Sequence, residues 1–194
     1  GQLYAQIVNG APFDVFLSAD AERPRLLEEE GRAVPGTRFT YALGRLALYG
    51  PGLDSVRAGG AALLSDRYTH LAIADPATAP YGAAAMEVLD ALGADSSVRR
   101  RIVQGENIAQ AFQFVETGAA ELGFVALSQV IDQPERSYWL VPRELHAPML
   151  QDAVLLRGAD EDPAARAYLQ FLRSPAAREI IESYGYDTED DGPR

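Results

Sequence analysis

Two rhythms of apolar residues alternate along this chain. Apolar runs over 39–49, 70–74, 122–127, 138–141 and 149–156 read as strands, most of them too apolar to face water. Between them, apolar residues recur at three- and four-residue spacing over 22–31, 80–92, 107–117, 163–173 and 175–184, which predicts helices. In the third of these, Ile108, Ala111, Phe112 and Val115 share one face. A helix end over 3–8 is closed by Asn9-Gly10, and a short buried strand over 14–17 follows it. Punctuation agrees with the rhythm. Pro24 and Pro80 fall in first turns, where a missing N–H costs nothing, Gly31 stops a helix, and Gly50-Pro51-Gly52 and Asp75-Pro76 end strands.

Strands alternating with helices predict an α/β fold of mainly parallel sheets with helices on both faces. The two long strands, 39–49 and 149–156, are far apart in sequence and suit two crossover segments joining two lobes. The expected division is 1–42 with 152–194 in lobe 1 and 43–151 in lobe 2. No internal repeat or low-complexity tract interrupts the pattern.

Composition narrows the function by exclusion. The 194 residues are 47% hydrophobic, enough for a core, and carry a net charge of −11. That sign argues against nucleic acid and against electrostatic adhesion to anionic membranes. With no cysteine there is no disulfide, thiolate metal site or thiol nucleophile. No apolar run reaches the roughly 18–20 residues needed to span a bilayer, so membrane insertion is not expected.

Catalytic chemistry finds little support. His70 opens a buried strand and reads as structural, while His146 sits in a loop without a partner at a telling spacing. No nucleophile elbow, zinc-binding helix or P-loop is present. The acidic runs 28–30, 160–162 and 189–191 read as solvated surface. The chain is therefore not expected to be an enzyme or to hold a metal or cofactor. The informative positions are backbone ones. Asp75-Pro76-Ala-Thr-Ala-Pro80-Tyr81-Gly82 and Gln104-Gly-Glu-Asn107-Ile108 each run from a strand or loop into a helix start, with Asn107 a natural N-cap. First-turn N–H groups lack intrahelical partners and carry partial positive charge, so two such starts facing one place make an anion site.

Specific motifs give this reading a family. Gln2-Leu-Tyr-Ala-Gln-Ile7 and Gly10-Ala-Pro-Phe-Asp-Val-Phe-Leu-Ser-Ala-Asp20 stand at the start. Asp75-Pro76, Pro80-Tyr81-Gly82, Leu92-Gly93-Ala94, Glu106-Asn107-Ile108, Glu121-Leu122-Gly123-Phe124-Val125 and Tyr184-Gly185-Tyr186 follow. Together they resemble the periplasmic molybdate-binding proteins of ABC transporters, a type II solute-binding family, over essentially 1–187. The resemblance implies a two-lobed fold with two crossover strands and a periplasmic location. It also implies a molybdate or tungstate ligand held by hydroxyl and N–H donors, and a membrane permease of an ABC importer as partner. By position, the N–H groups of Tyr81 and Ile108 are the implied donors, with Gly82, Asn107 and Ala126 as secondary site positions. Ala126 stands where some members place a ligand tyrosine, and the Tyr81 phenol is a candidate substitute.

The same resemblance implies about forty further residues before Gly1, including a first strand and a serine-bearing loop, so lobe 1 is expected to be incomplete. Impaired anion binding by this chain alone, or completion of the lobe by a second chain or strand exchange, follows as an expectation. Two alternatives remain: an effector-binding domain of a transcriptional regulator, and a carrier of another tetrahedral oxyanion such as sulfate.

Overall fold

The computed structural model describes residues 1–53 and 56–188, so the acidic run 189–191 lies outside the described residues. Along the chain, α1 (Gln2–Val8), β1 (Val15–Leu17), α2 (Glu22–Glu29) and β2 (Phe39–Gly44) come first. Next are β3 (Leu46–Tyr49), α3 (Gly60–Leu63), β4 (Leu71–Ala74), α4 (Pro80–Ala91) and α5 (Ser96–Arg99). They are followed by β5 (Ile102–Gly105), α6 (Ile108–Glu116), β6 (Leu122–Ala126), α7 (Leu127–Val130) and β7 (Tyr138–Leu140). Then β8 (Met149–Leu155), α8 (Pro163–Leu172) and α9 (Pro175–Ser183) complete the order. Contacts divide the chain into two units, Gly1–Gly44 with Leu150–Arg194, and Arg45–Met149.

The first unit is built on a three-stranded sheet in the order β1-β8-β2. β1 runs antiparallel to β8, with Val15 opposite Leu155 and Leu17 opposite Ala153. Side chains alternate across a strand, so β8 feeds two cores. Val154 and Leu156 join Ile7, Phe16 and Leu27 in one cluster. Ala153 and Leu155 join Ala165 and Leu169 of α8 in the other. Helices α1 and α2 end as their glycines require: Gly10 has φ 88° and Gly31 has φ 67°, the left-handed region that only glycine enters without cost.

One polar knot is buried in this unit. Asp152 is 1% exposed and accepts from Arg38 Nη1 at 2.6 Å and from Thr40 Oγ1 at 2.8 Å. Arg38 Nε also donates to Glu28 Oε2 at 2.9 Å, and Gly36 N–H donates to Glu28 Oε1 at 3.0 Å. Glu28 is therefore a structural acceptor and not a solvated charge, a correction to the reading of its acidic run. Tyr184 is 61% exposed, so the closing tyrosine motif does not bury its first ring.

The second unit holds a five-stranded sheet in the order β5-β4-β6-β3-β7. β4 is parallel to β5, with Ala74 opposite Gly105, and parallel to β6, with Leu71 opposite Leu122. β3 runs antiparallel to both β6 and β7. Alternation again sorts the side chains. Leu46, Leu48, Leu71, Ile73, Leu122 and Phe124 pack against Tyr81, Ala85, Val88 and Leu89 of α4. Ala47, Tyr49, Ala72 and Val125 meet Ala111 and Val115 of α6 on the other face. Small residues let α6 lie close: a Cβ on Gly123 would stand 2.6 Å from Val115 Cγ2.

Two expectations need correction here. The single strand over 39–49 is two strands, β2 and β3, broken at Arg45 and hydrogen-bonded into different sheets. A continuous apolar run carries no mark of a change of sheet, although β2 is mostly half-buried and β3 is buried at every position. The sheets are also mixed and not mainly parallel, since parallel pairing in the second unit is confined to the two flanks of β4. β3, which leads the chain into the unit, runs against β6. Among the described residues, no helix is long and apolar enough to cross a membrane.

Tyr49 supplies a pH test of this core. It is 1% exposed and its O–H donates to Glu116 Oε1 at 2.7 Å. Burial, and then that bond, push the phenol up to about 12. An unfolded tyrosine ionises near 10, so between these values the unfolded chain holds fewer protons than the folded one. Its contribution to stability is complete below pH ~10 and is lost as pH rises toward ~12. Denaturant midpoints across that window should fall, and Tyr49→Phe should flatten the fall. An identical slope in the variant would show that this phenol does not titrate there.

Candidate functional site

Parallel pairing brings three strand ends to one edge of the second unit. β5 ends at Gly105, β4 at Ala74 and β6 at Ala126, and each is followed within a few residues by a helix start. In open α/β sheets this carboxyl edge is where ligands bind.

At the β4 exit, Ala79 is the extended N-cap of α4 and Pro80 occupies its first turn. Proline has no N–H, so the first one α4 carries belongs to Tyr81. Gly82 N–H donates to the Ala79 carbonyl at 2.9 Å, so it is engaged within the turn. The need for glycine there is steric: a Cβ would stand 2.3 Å from the Ala74 carbonyl oxygen. Gly82, a secondary site position in the sequence, is thus a close-approach residue. Tyr81 is 4% exposed and belongs to the α4 core cluster, so its side chain seats the helix start.

At the β5 exit, Asn107 caps α6 with extended backbone, and its Oδ1 accepts from Gln110 N–H at 3.0 Å. Gln110 answers by accepting the Glu106 N–H at 2.6 Å. Asn107 therefore serves as a cap, as its residue type indicates. Among the described residues the Ile108 N–H donates to no protein acceptor. Gly105 makes room for this start, since a Cβ on it would lie 3.0 Å from Ala111 N.

At the β6 exit, Ala126 offers no donor of its own. Its side chain is a methyl, and its N–H donates to Gln129 Oε1 at 2.9 Å. Gln129 Nε2 in turn reaches the Ile108 carbonyl at 3.4 Å, linking the β6 end to the first turn of α6. Gln129 went unnoticed in the sequence, as did the side chain of Asp75. Asp75 Oδ1 accepts from Ala77 N–H at 2.9 Å and from Gln104 Nε2 at 2.7 Å, and Oδ2 accepts from Thr78 Oγ1 at 3.1 Å. An aspartate at a strand end, two residues before a turn N–H, is a readable turn signal. Gln129 has no such signal.

The histidines are elsewhere. His70 is exposed and gives its N–H to Glu121 Oε2 at 2.8 Å, so it is not a buried structural ring. His146 Nδ1 lies 2.7 Å from the Ala147 carbonyl. Among the described residues, no three histidine or carboxylate side chains gather where a metal ion could be held.

Two helix starts at one sheet edge can present N–H donors to a small anion. The chain belongs to the bacterial extracellular solute-binding proteins, whose family model matches residues 1–187. The molybdate-binding protein ModA of Rhodobacter capsulatus is 54% identical over 189 residues, covering 97% of this chain and 75% of that relative. ModA of Azotobacter vinelandii is 50% identical, covering 96% and 75%. The solved periplasmic molybdate-binding protein of Azotobacter vinelandii superposes with a TM-score of 0.87 at 38% identity, over 98% of this chain and 84% of that one.

Gly82 gives the sharpest test of this geometry. Gly82→Ala forces the α4 start off the Ala74 carbonyl and should cost about 1–3 kcal/mol by overpacking. Denaturant unfolding measures it. A cost near zero would mean that the close approach is not kept in solution.

Proposed function

We propose that this chain binds molybdate at the carboxyl edge of its second unit and serves as the solute-binding component of an ABC importer in the periplasm. The N–H groups of Tyr81 and Ile108 are among the donors, and a membrane permease receives the anion. Tungstate, of nearly the same size and charge, is bound as well. The observation that carries this reading is the pair of helix starts at the ends of adjacent parallel strands β4 and β5, in a chain closely similar to molybdate-binding relatives.

The chemistry suits the ligand. A molybdate dianion offers only acceptors, so N–H donors match it, while a protonated phosphate brings an O–H that needs an acceptor. Helix starts supply charge-assisted bonds without burying a countercharge. Asn107 holds one start in shape, and Gly82 lets the other sit against β4.

Calorimetric titration with molybdate, repeated with sulfate and phosphate as competitors, tests the reading. Binding of molybdate that sulfate does not displace is the expected result, weakened where lobe 1 is incomplete, and no heat with molybdate or tungstate would overturn the reading. Ile108→Pro removes one donor cleanly, because proline is tolerated at this helix position and Asn107 already has extended backbone, φ −155° and ψ 175°. Molybdate affinity should fall about tenfold to a hundredfold, as loss of a hydrogen bond to a charged group implies, with helicity kept.

A further inference from the structure

The loop between β4 and α4 is tied to the neighbouring strand through one side chain. Asp75 lies at the end of β4, its N–H continuing the ladder to the Gly105 carbonyl at 2.8 Å. Its own carbonyl accepts from Ala79 N–H at 2.8 Å and Thr78 N–H at 3.3 Å. Its carboxylate takes Ala77 N–H and the Thr78 hydroxyl from the loop and the Gln104 amide from β5. Gln104 is followed by Gly105, Glu106 and Asn107, which lead directly into α6. One carboxylate therefore fixes the loop that aims Tyr81 and fastens it to the strand that aims Ile108.

We propose that Asp75 is a positioning residue of the anion site, clamping the two helix starts at a fixed separation before the anion arrives. This role rests on the anion-binding reading and adds to it a source of size selectivity. Donors held at a set spacing fit one oxyanion radius, whereas donors free to approach each other also close around a smaller ion such as sulfate. A carboxylate beside an anion site is otherwise unfavourable. Here its oxygens are turned to three donors of the loop and strand, which disperses its charge. The clamp also lowers the ordering that binding would otherwise require.

The test uses the whole chain with Asp75→Ala, Asp75→Asn and Gln104→Leu. In the ligand-free chains, amide hydrogen exchange over 77–82 should accelerate in Asp75→Ala while the remaining core stays protected. Asn keeps an acceptor for Ala77 and Gln104, so Asp75→Asn should restore slow exchange. Calorimetry should show molybdate affinity lowered about tenfold in Asp75→Ala, the scale of a lost charged hydrogen-bond network. The preference for molybdate over sulfate should narrow together with the affinity, with recovery in Asp75→Asn and an intermediate effect in Gln104→Leu. A merely structural role would lower stability and leave the preference unchanged. Tight molybdate binding by the parent, with exchange and preference unaltered in Asp75→Ala, overturns the clamp alone. No molybdate binding by the parent overturns the anion-site reading, and this role with it.

Discussion

Parallel pairing of β4 with β5, Ala74 facing Gly105, is the constraint on which the candidate site depends. Two strands that run the same way must end at the same edge, and the helices that follow them must start there. Had β5 run the other way, Ile108 and Tyr81 would lie at opposite ends of the sheet. Every finer feature of the edge works on this arrangement. Gly82 and Gly105 let the helix starts sit close to the strands, Asn107 shapes one of them, and Asp75 and Gln129 join neighbouring segments.

A net charge of −11 opposes the approach of a dianion. Several of its carboxylates are committed to internal donors. Asp152 and Glu28 hold Arg38, and Asp75 holds its own loop. Burial tends to raise the Glu121 carboxyl, but backbone N–H groups, those of His70 and Thr69 among them, outweigh it and hold the group low. Asp95 is held low by the hydroxyl and N–H of Ser97 and by the Val98 N–H. Charges that are neutralised nearby or screened by salt contribute little field at a distance. The dipoles of two helix starts can then act on an anion close to the edge.

Much of this was legible in the sequence, for reasons that are local. Asn9-Gly10, Gly31, Pro80 and Asn107 act on the residues beside them, so helix starts and stops could be read directly. The motifs at 75–82 and 104–108 carried the expectation of a site for the same reason. What escaped reading depends on partners distant in sequence. Glu28 looked solvated until Arg38 and Gly36 met it, and Asp152 lies 114 residues from the Arg38 that pairs with it. The break at Arg45 is invisible because β2 and β3 are apolar alike and differ only in the strands they join. Gly82 was a secondary site position on its place in the sequence alone. Only the approach of the Ala74 carbonyl reveals why it is glycine.

That same approach has a consequence for redesign. Because the α4 backbone lies against the end of β4 with no room for a methyl group at Gly82, exchanging side chains there moves the helix start only at a cost in packing. Accommodating a bulkier oxyanion would require a longer connection between Asp75 and Pro80, and lengthening a loop by a residue or two costs little in closure entropy. On the anion-binding reading, the calibre of the site then depends on the number of residues in a loop, and laboratory evolution toward larger anions should proceed by insertion more readily than by substitution.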